Sequence, residues 1–141
     1  MRRIPSGDFE KFLPLVDEEL AEPFTIIVVG GAAIRIVQPP YEYEDRLRPL
    51  AIRGLKRLQI LVPEAHDLAL MKVARGEAHD LEAIEEIHRI SPLSLATLVS
   101  RYEESRPQFI GHPANLKLSF LALVARLFGE EEAKRVDREI R

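Results

Sequence analysis

One short apolar run, residues 24–29, constrains most strongly what this chain can fold into. It reads Phe-Thr-Ile-Ile-Val-Val, carries no charge, and is followed directly by Gly30 and Gly31. Uncharged runs of this length that are rich in β-branched residues are typical of a buried strand. The run therefore predicts a buried strand that ends at a glycine turn, so the chain must contain a sheet.

A second strand and a long helical region follow this run. In residues 55–62, Leu58, Ile60 and Val62 stand at alternating positions, which predicts a strand. Residues 41–54 are predicted to be irregular, and Ser6 is predicted to cap a first helix. The apolar spacing after residue 62 predicts further helices at 63–75, 80–89, from 92 onwards, 115–128 and 130–141. The sequence thus predicts an α/β (α+β) fold, with a small sheet followed by a C-terminal helical half.

Length and composition limit the domain count and the available chemistry. The chain has 141 residues, of which 46% are apolar and 30% charged, with a net charge of −3 and no cysteine. We expect one domain over 1–141, with the sheet in about 1–62 and the helices in 63–141. The lack of cysteine excludes disulfides, thiolate zinc sites and cysteine nucleophiles. No uncharged stretch approaches the ~20 residues of a membrane span, so we expect a cytoplasmic protein without membrane contact.

Two stretches carry residue types that can bind phosphate. Gly30 and Gly31 would allow close approach of the backbone to a phosphate, and the N–H groups of a following helix could bind it. Lys72 and Arg75 are three residues apart and share a helix face, where they could grip a triphosphate, and Asp67 one turn earlier could pair with them. Taken singly, each stretch favours the plainer interpretation, a tight turn and a solvated helix face.

Together the two stretches resemble a known family. The Gly30-Gly31 turn and the run that starts at Asp67, Asp-Leu-Ala-Leu-x-Lys-x-Ala-Arg-Gly, are similar to nucleotidyltransferase-like proteins of bacteria. That group includes toxins of toxin–antitoxin operons and a large uncharacterised branch, whose downstream Arg-Tyr-Glu element matches residues 101–103. The resemblance covers about 24–34 and 41–128 and implies the small mixed sheet of a minimal nucleotidyltransferase-like fold. It implies nucleotide or phosphate binding by Gly30, Gly31, Asp67, Lys72, Arg75 and Asp80.

The resemblance also implies metal-dependent catalysis, and there the sequence departs from the family. Members transfer a nucleoside monophosphate with Mg²⁺ held by an acid-x-acid pair on a strand about ten residues after the glycines. Glu42 and Glu44 stand at this distance, so they are candidate catalytic residues and candidate Mg²⁺ ligands. However, residues 39 and 40 are both proline, which is unfavourable for a central strand, and residues 55–62 provide no third acid.

A different alignment removes the metal strand altogether. Residues 43–47, Tyr-Glu-Asp-Arg-Leu, match an aromatic–acid–x–Arg–Leu element that lies beyond the metal strand in the uncharacterised branch. The metal strand is then absent between Ile34 and Gln38. We therefore predict a degenerate domain that acts as a binding or regulatory module, with a nucleotide, an RNA or a protein as partner. The alternatives are an active Mg²⁺-dependent transferase of NMP to RNA or protein, and a structural, antitoxin-like homodimer.

One further segment is strongly charged. Residues 46–57 contain five cations and no acid. Such a segment could contact RNA phosphates, although a solvated loop is the favoured interpretation.

Overall fold

The structure, a computed structural model, describes residues 6–28, 38–77 and 79–140, without the side chains of residues 6–10. Gly30 and Gly31, the predicted phosphate turn, lie outside the described residues. The chain divides into two compact units, which are treated separately below. The first comprises the described residues of Met1–Val28 and Leu47–Val62, and the second comprises those of Val29–Arg46 and Pro63–Arg141.

The first unit is a three-stranded sheet with one helix. Helix α1 is Ser6–Glu19, and the strands are β1 (Phe24–Ile27), β2 (Arg48–Pro49) and β3 (Leu58–Val62). The strand order is β1-β3-β2, with β1 parallel and β2 antiparallel to β3. The small mixed sheet is thus confirmed. Strand β2 lies in the stretch that was predicted to be irregular. The sequence did not predict it because two residues are too few to show an alternating pattern.

A small core and one buried acid join α1 to β3. Leu13 of α1 is buried together with Leu58 and Ile60 of β3. One turn further along α1, the buried Asp17 accepts hydrogen bonds from the backbone N–H groups of Lys56 and Leu58, at 2.9 and 2.5 Å. The bond from Lys56 is the largest cause of a lowered Asp17 pKa; burial opposes it, and further backbone bonds reinforce it. A charged side chain therefore fixes the start of β3 to the helix.

Strand β1 is exposed, and in this respect the prediction of a buried strand was wrong. Phe24 is 58% exposed and Ile27 is 41% exposed. The reason is that α1 packs on one face of the sheet, where Ile26 is partly buried, while Thr25 and Ile27 point to the opposite face and are exposed. Local sequence predicted the strand correctly but could not predict which elements would cover it.

The second unit is helical, as the sequence predicted. Its α-helices are α2 (Ala65–Arg75), α3 (Asp80–Ile90), α4 (Leu95–Ser105), α5 (Pro113–Phe128) and α6 (Glu130–Glu139), with short 3-10 helices at Tyr43–Arg46 and Arg106–Gln108. Helix α4 begins later than predicted, because Ser94 accepts a hydrogen bond from the Thr97 N–H and caps it there. Gly76 ends α2 with a φ of 69°, a conformation that favours glycine. None of the helices in the described part of the chain is long and apolar enough to cross a membrane.

Helix α5 passes through the core of the second unit. Its residues Phe120, Leu123 and Val124 are fully buried, and it contacts α2, α3 and α6. Tyr102 of α4 stacks on Phe120, with ring centroids 4.3 Å apart and ring planes 12° apart. This packing fixes α2 and α4 around α5, and those two helices carry most of the charged residues discussed next.

Candidate functional site

Four of the residues that the resemblance predicted to bind phosphate are described by the structure, and they lie in two separate clusters of ion pairs. The Asp67 cluster consists of Arg46, Glu64, His66, Asp67 and Arg101. The Asp80 cluster consists of Lys72, Arg75 and Asp80. The structure therefore brings Lys72, Arg75 and Asp80 together, whereas Asp67 belongs to a different set of partners.

Two arginines neutralise the fully buried Asp67. The Nε and Nη2 atoms of Arg46 donate to its two carboxylate oxygens at 2.7 and 3.1 Å. Nη1 of Arg101 donates to Oδ1 at 3.1 Å. Planar guanidinium groups satisfy a carboxylate well in this geometry, so both oxygens of Asp67 are engaged by protein groups.

Glu64 extends the cluster to the N-terminus of α2. Its carboxylate caps the helix by accepting from the His66 N–H at 3.2 Å, and it also accepts a hydrogen bond from Arg101. His66 Nδ1 lies 2.6 Å from Glu64 Oε1, while Nε2 accepts from the Ser94 N–H at 2.8 Å, so the proton is assigned to Nδ1. Burial alone would raise the pKa of Glu64, but the bonds from His66 and Arg101 outweigh burial and lower this pKa to about 2.

The Asp67 cluster joins three sequence elements that the resemblance had matched separately. Arg46 comes from the 43–47 element, Asp67 from the α2 run, and Arg101 from the Arg-Tyr-Glu element of α4. The sequence suggested that Asp67 could pair with or orient Lys72 or Arg75, but in the structure its partners are Arg46 and Arg101. The sequence held a hint of this arrangement. A buried acid needs cations, and each of the other two elements contains one arginine that could pair with Asp67.

The Asp80 cluster holds the predicted triphosphate clamp in an internal ion pair. Arg75 donates through Nε to Asp80 Oδ2 at 3.1 Å and through Nη2 to Oδ1, and the Glu77 N–H donates to Oδ2 at 3.1 Å. Burial raises the pKa of Asp80, but these hydrogen bonds outweigh it and lower the pKa. Lys72 Nζ is 3.9 Å from Asp80 Oδ1 and is therefore held more loosely than Arg75.

The two cations of this cluster differ in how readily a phosphate could reach them. The Arg75 side chain is 14% exposed and the Lys72 side chain 20%. Withdrawing Arg75 from Asp80 would leave a buried carboxylate without its main partner, which typically costs about 3–5 kcal/mol. Lys72 has less to lose, so it is the cation of the pair with the better access to a ligand.

The candidate metal ligands Glu42 and Glu44 do not lie on a strand. Glu42 is in a turn, with a left-handed φ of 55°, and Glu44 is in the 3-10 helix that follows. Both side chains are exposed. Across the described residues, no three His, Asp or Glu side chains are grouped so that they could hold a metal ion. The stretch 29–37, which the structure does not describe, contains no acid in its sequence.

Comparison with known families matches residues 35–124 to a family described as nucleotidyltransferase of unknown function (DUF6036). The match spans more than half of the 141 residues and includes both clusters as well as Glu42 and Glu44. The chain belongs to this nucleotidyltransferase family. Neither the comparison with curated proteins nor the comparison with solved structures gave a match. The nucleotidyltransferase resemblance that the sequence suggested is thereby supported at family level, while the role of each residue stays a prediction.

This nucleotidyltransferase-family chain also has an apolar cleft in its second unit, which the sequence did not predict. The cleft is lined by residues from distant parts of the chain, chiefly Pro39, Pro40, Leu70, Tyr102, Phe109 and Leu116. The Tyr102 hydroxyl is buried and has no hydrogen-bond partner among the described residues, and burial raises its pKa. The volume of this cleft is about 30 Å³, far below the roughly 300–1,000 Å³ of usual ligand sites.

A neighbouring, more polar cleft continues along α2 and α5. It shares Phe109 and Leu116 with the apolar cleft and is lined further by Arg75, Asn115 and Ser119. A third cleft borders the Asp80 cluster and is lined by Lys72, Glu77, Asp80 and Ser119.

Proposed function

We propose that this nucleotidyltransferase-family domain is a binding or regulatory module that does not transfer nucleotides efficiently. The observation that carries the proposal is the engagement of its buried acids. Asp67 is bound by two arginines, and Asp80 is bound by Arg75 and a backbone N–H. A Mg²⁺ ion that recruited either acid would strand a partly buried guanidinium, at a typical cost of about 3–5 kcal/mol.

The position of the remaining acid pair supports the same proposal. Two-metal phosphoryl transfer needs carboxylates held at fixed positions on rigid elements, because the metal ions must meet both the attacking and the leaving oxygen. Glu42 and Glu44 are solvated side chains in a turn and a short 3-10 helix. They lack a third acid beside them among the described residues.

The cleft of the second unit supports a role in binding. The more polar cleft, of about 470 Å³ and lined by Arg75, Asn115 and Ser119, has room for a small ligand, whereas the apolar cleft holds only about 30 Å³. Lys72, the loosely held cation of the Asp80 cluster, could attract a phosphate without losing a close ion pair. A nucleotide is therefore the first ligand to test, ahead of RNA and protein partners.

The proposal is tested by incubating the purified protein with Mg²⁺, α-labelled nucleoside triphosphates and RNA or protein acceptors. We expect no label transfer above background. Isothermal titration calorimetry with the same nucleotides measures binding separately from label transfer. We expect Lys72→Ala to weaken any nucleotide binding about tenfold, since one charge-assisted contact is lost.

The decisive variant is the double substitution Glu42→Gln with Glu44→Gln. Glu18→Gln with Glu19→Gln serves as the matched control, because these are adjacent exposed glutamates of α1. Label transfer that the first pair abolishes and the second leaves intact would overturn the proposal. It would establish the alternative, an active Mg²⁺-dependent transferase with Glu42 and Glu44 as metal ligands.

A further inference from the structure

The connection between α3 and α4 is held by two histidines. It consists of residues 91–94, Ser-Pro-Leu-Ser, and Pro92 has no backbone N–H to donate. The Ser91 N–H donates to a carbonyl oxygen of α3 at 2.8 Å, as is usual at the end of a helix. The two remaining N–H groups, those of Leu93 and Ser94, each donate to an imidazole nitrogen instead.

The two histidines come from different helices. His88 of α3 accepts the Leu93 N–H at its Nδ1 atom, with 2.9 Å between the nitrogens. His66, in the first turn of α2, accepts the Ser94 N–H at its Nε2 atom, with 2.8 Å between the nitrogens. A ring nitrogen accepts a hydrogen bond only while it carries no proton, so both bonds require neutral rings. A second proton on either ring would turn the acceptor into a donor that faces another donor.

The two N–H groups differ in how easily water could replace the histidine. Leu93 is 5% exposed and belongs to the core of the second unit, whereas Ser94 is exposed. An N–H group without an acceptor is unfavourable in a buried residue, while an exposed one can bond to water. Loss of the His88 bond therefore favours movement of Leu93 toward water, which means movement of the whole connection.

The charges around His66 belong to the Asp67 cluster. His66 Nδ1 lies 2.6 Å from Glu64 Oε1. The neighbouring Asp67 is bound by Arg46 and Arg101. Glu64 can therefore pair with a doubly protonated His66 ring, so that release of the Ser94 N–H leaves no charge without a partner.

The His88 ring packs against an aromatic ring. It meets the Phe128 ring of α5 edge-on, with ring centroids 5.6 Å apart. The charged side chains within three residues of His88 or two of Phe128 are Glu85, Glu86, Arg89, Arg126 and Glu130. Arg126 pairs with Glu85, and Arg89 pairs with Glu86. Across the described residues, no carboxylate forms an ion pair with His88, so its bond to the Leu93 N–H is the polar contact that a second proton would remove.

We propose that His66 and His88 together form a pH-sensitive switch in the α3–α4 connection. While both rings are neutral they hold the connection closed, and uptake of a proton by each ring breaks its bond to the backbone and releases the connection. Histidine is the side chain whose charge ordinarily changes between pH 8 and pH 5. The proposal does not depend on whether the domain transfers nucleotides.

Release frees one end of α4 and leaves the other end anchored. Ser94 lies at the start of α4, where its own side chain caps the helix. Arg101, about two turns further along α4, is bound to Glu64 and Asp67. The pKa of Glu64 is about 2, so this carboxylate stays charged throughout the range in which histidines titrate. We therefore expect the first turn of α4 to move away from α2 while Arg101 keeps its bonds.

NMR of the isotope-labelled wild-type protein between pH 8 and pH 5 tests the proposal. We expect the exchange protection factors of the Leu93 and Ser94 amides, corrected for the intrinsic effect of pH, to fall at least about tenfold, because each loses its acceptor. The ring-nitrogen signals of His66 Nε2 and His88 Nδ1 should show protonation over the same interval. The amide of Val124, in the middle of α5, is the internal reference and should keep its protection.

The double variant His66→Gln with His88→Asn separates the switch from other effects of pH. Its amide oxygens can accept the two N–H groups but take up no proton in this range. We expect both connection amides to stay protected at the acidic end. His79→Gln is the matched control, because the His79 side chain is 65% exposed, and this variant should respond like the wild type.

Circular dichroism at the alkaline end establishes that each variant is folded. A folded double variant that responds to pH like the wild type would overturn the proposal. Where the double variant does not fold, the wild-type titration decides alone. Rings that take up protons while the Leu93 and Ser94 amides keep their protection would overturn it equally.

Discussion

At the scale of single residues, one carboxylate holds distant parts of the second unit together. Asp67 lies in the first turn of α2, and its partners Arg46 and Arg101 come from 21 residues before it and 34 residues after it. All three side chains are largely buried. Buried ion pairs of this kind are costly to break from one side, because the remaining charge loses both its partner and its water.

Asp67→Asn should therefore destabilise the protein strongly. We expect the free energy of unfolding to fall by about 3–5 kcal/mol, because two arginines lose their shared carboxylate. Urea denaturation measures the change. Asp45→Asn, which alters an exposed acid next to Arg46, is the control and should change stability by less than about 0.5 kcal/mol. Equal effects of the two substitutions would contradict the role given to Asp67.

Glu64 gives the folded state a dependence on acid pH. Its pKa is about 2 in the folded protein against 4.5 for an unperturbed glutamate. Because the folded pKa is the lower one, the stability that Glu64 contributes is complete above pH 4.5 and is lost as the pH falls toward 2. Urea midpoints measured across this window should fall less steeply for Glu64→Gln than for wild type. Parallel slopes would contradict the assignment.

At the scale of elements, apolar periodicity predicted the helices of the second unit. Helix α5 begins at Pro113, two residues before the predicted 115, because proline is favoured in the first turn of a helix. The exposure of β1 and the existence of β2 were not predicted, because both depend on how separate elements pack. The same holds for the site: the motif gave the positions of Asp67, Lys72 and Arg75, but their partners depend on tertiary packing.

Asp17 joins two elements that the sequence left unconnected. It lies 39 residues from Lys56 and 41 from Leu58, a separation that local patterns do not reveal. Asp17→Ala should leave the backbone N–H groups at the start of β3 without acceptors, and so loosen α1 from the sheet. We expect faster hydrogen exchange at residues 56–58, while Glu18→Ala leaves it unchanged. Unaltered exchange in Asp17→Ala would contradict this role.

At the scale of the whole molecule, the family match and the two compact units overlap only in part. The match covers 35–124, so α1 and β1 of the first unit and α6 of the second lie outside it. Both ion-pair clusters lie inside it. The charges that hold the helices together thus lie within the matched range, whereas β1 belongs to the part of this chain that the family model does not match.

The left-handed backbone at Glu42 allows the stability cost of this residue to be compared with its contribution to ligand binding. A side chain in this conformation typically costs about 1–2 kcal/mol, which glycine avoids. Glu42→Gly should therefore raise the thermal midpoint and leave ligand affinity unchanged. A more stable variant that still binds its ligand would mean that this position can be substituted to stabilise the protein without loss of binding. Loss of ligand binding instead would mean that the Glu42 side chain contributes to binding at a cost in stability.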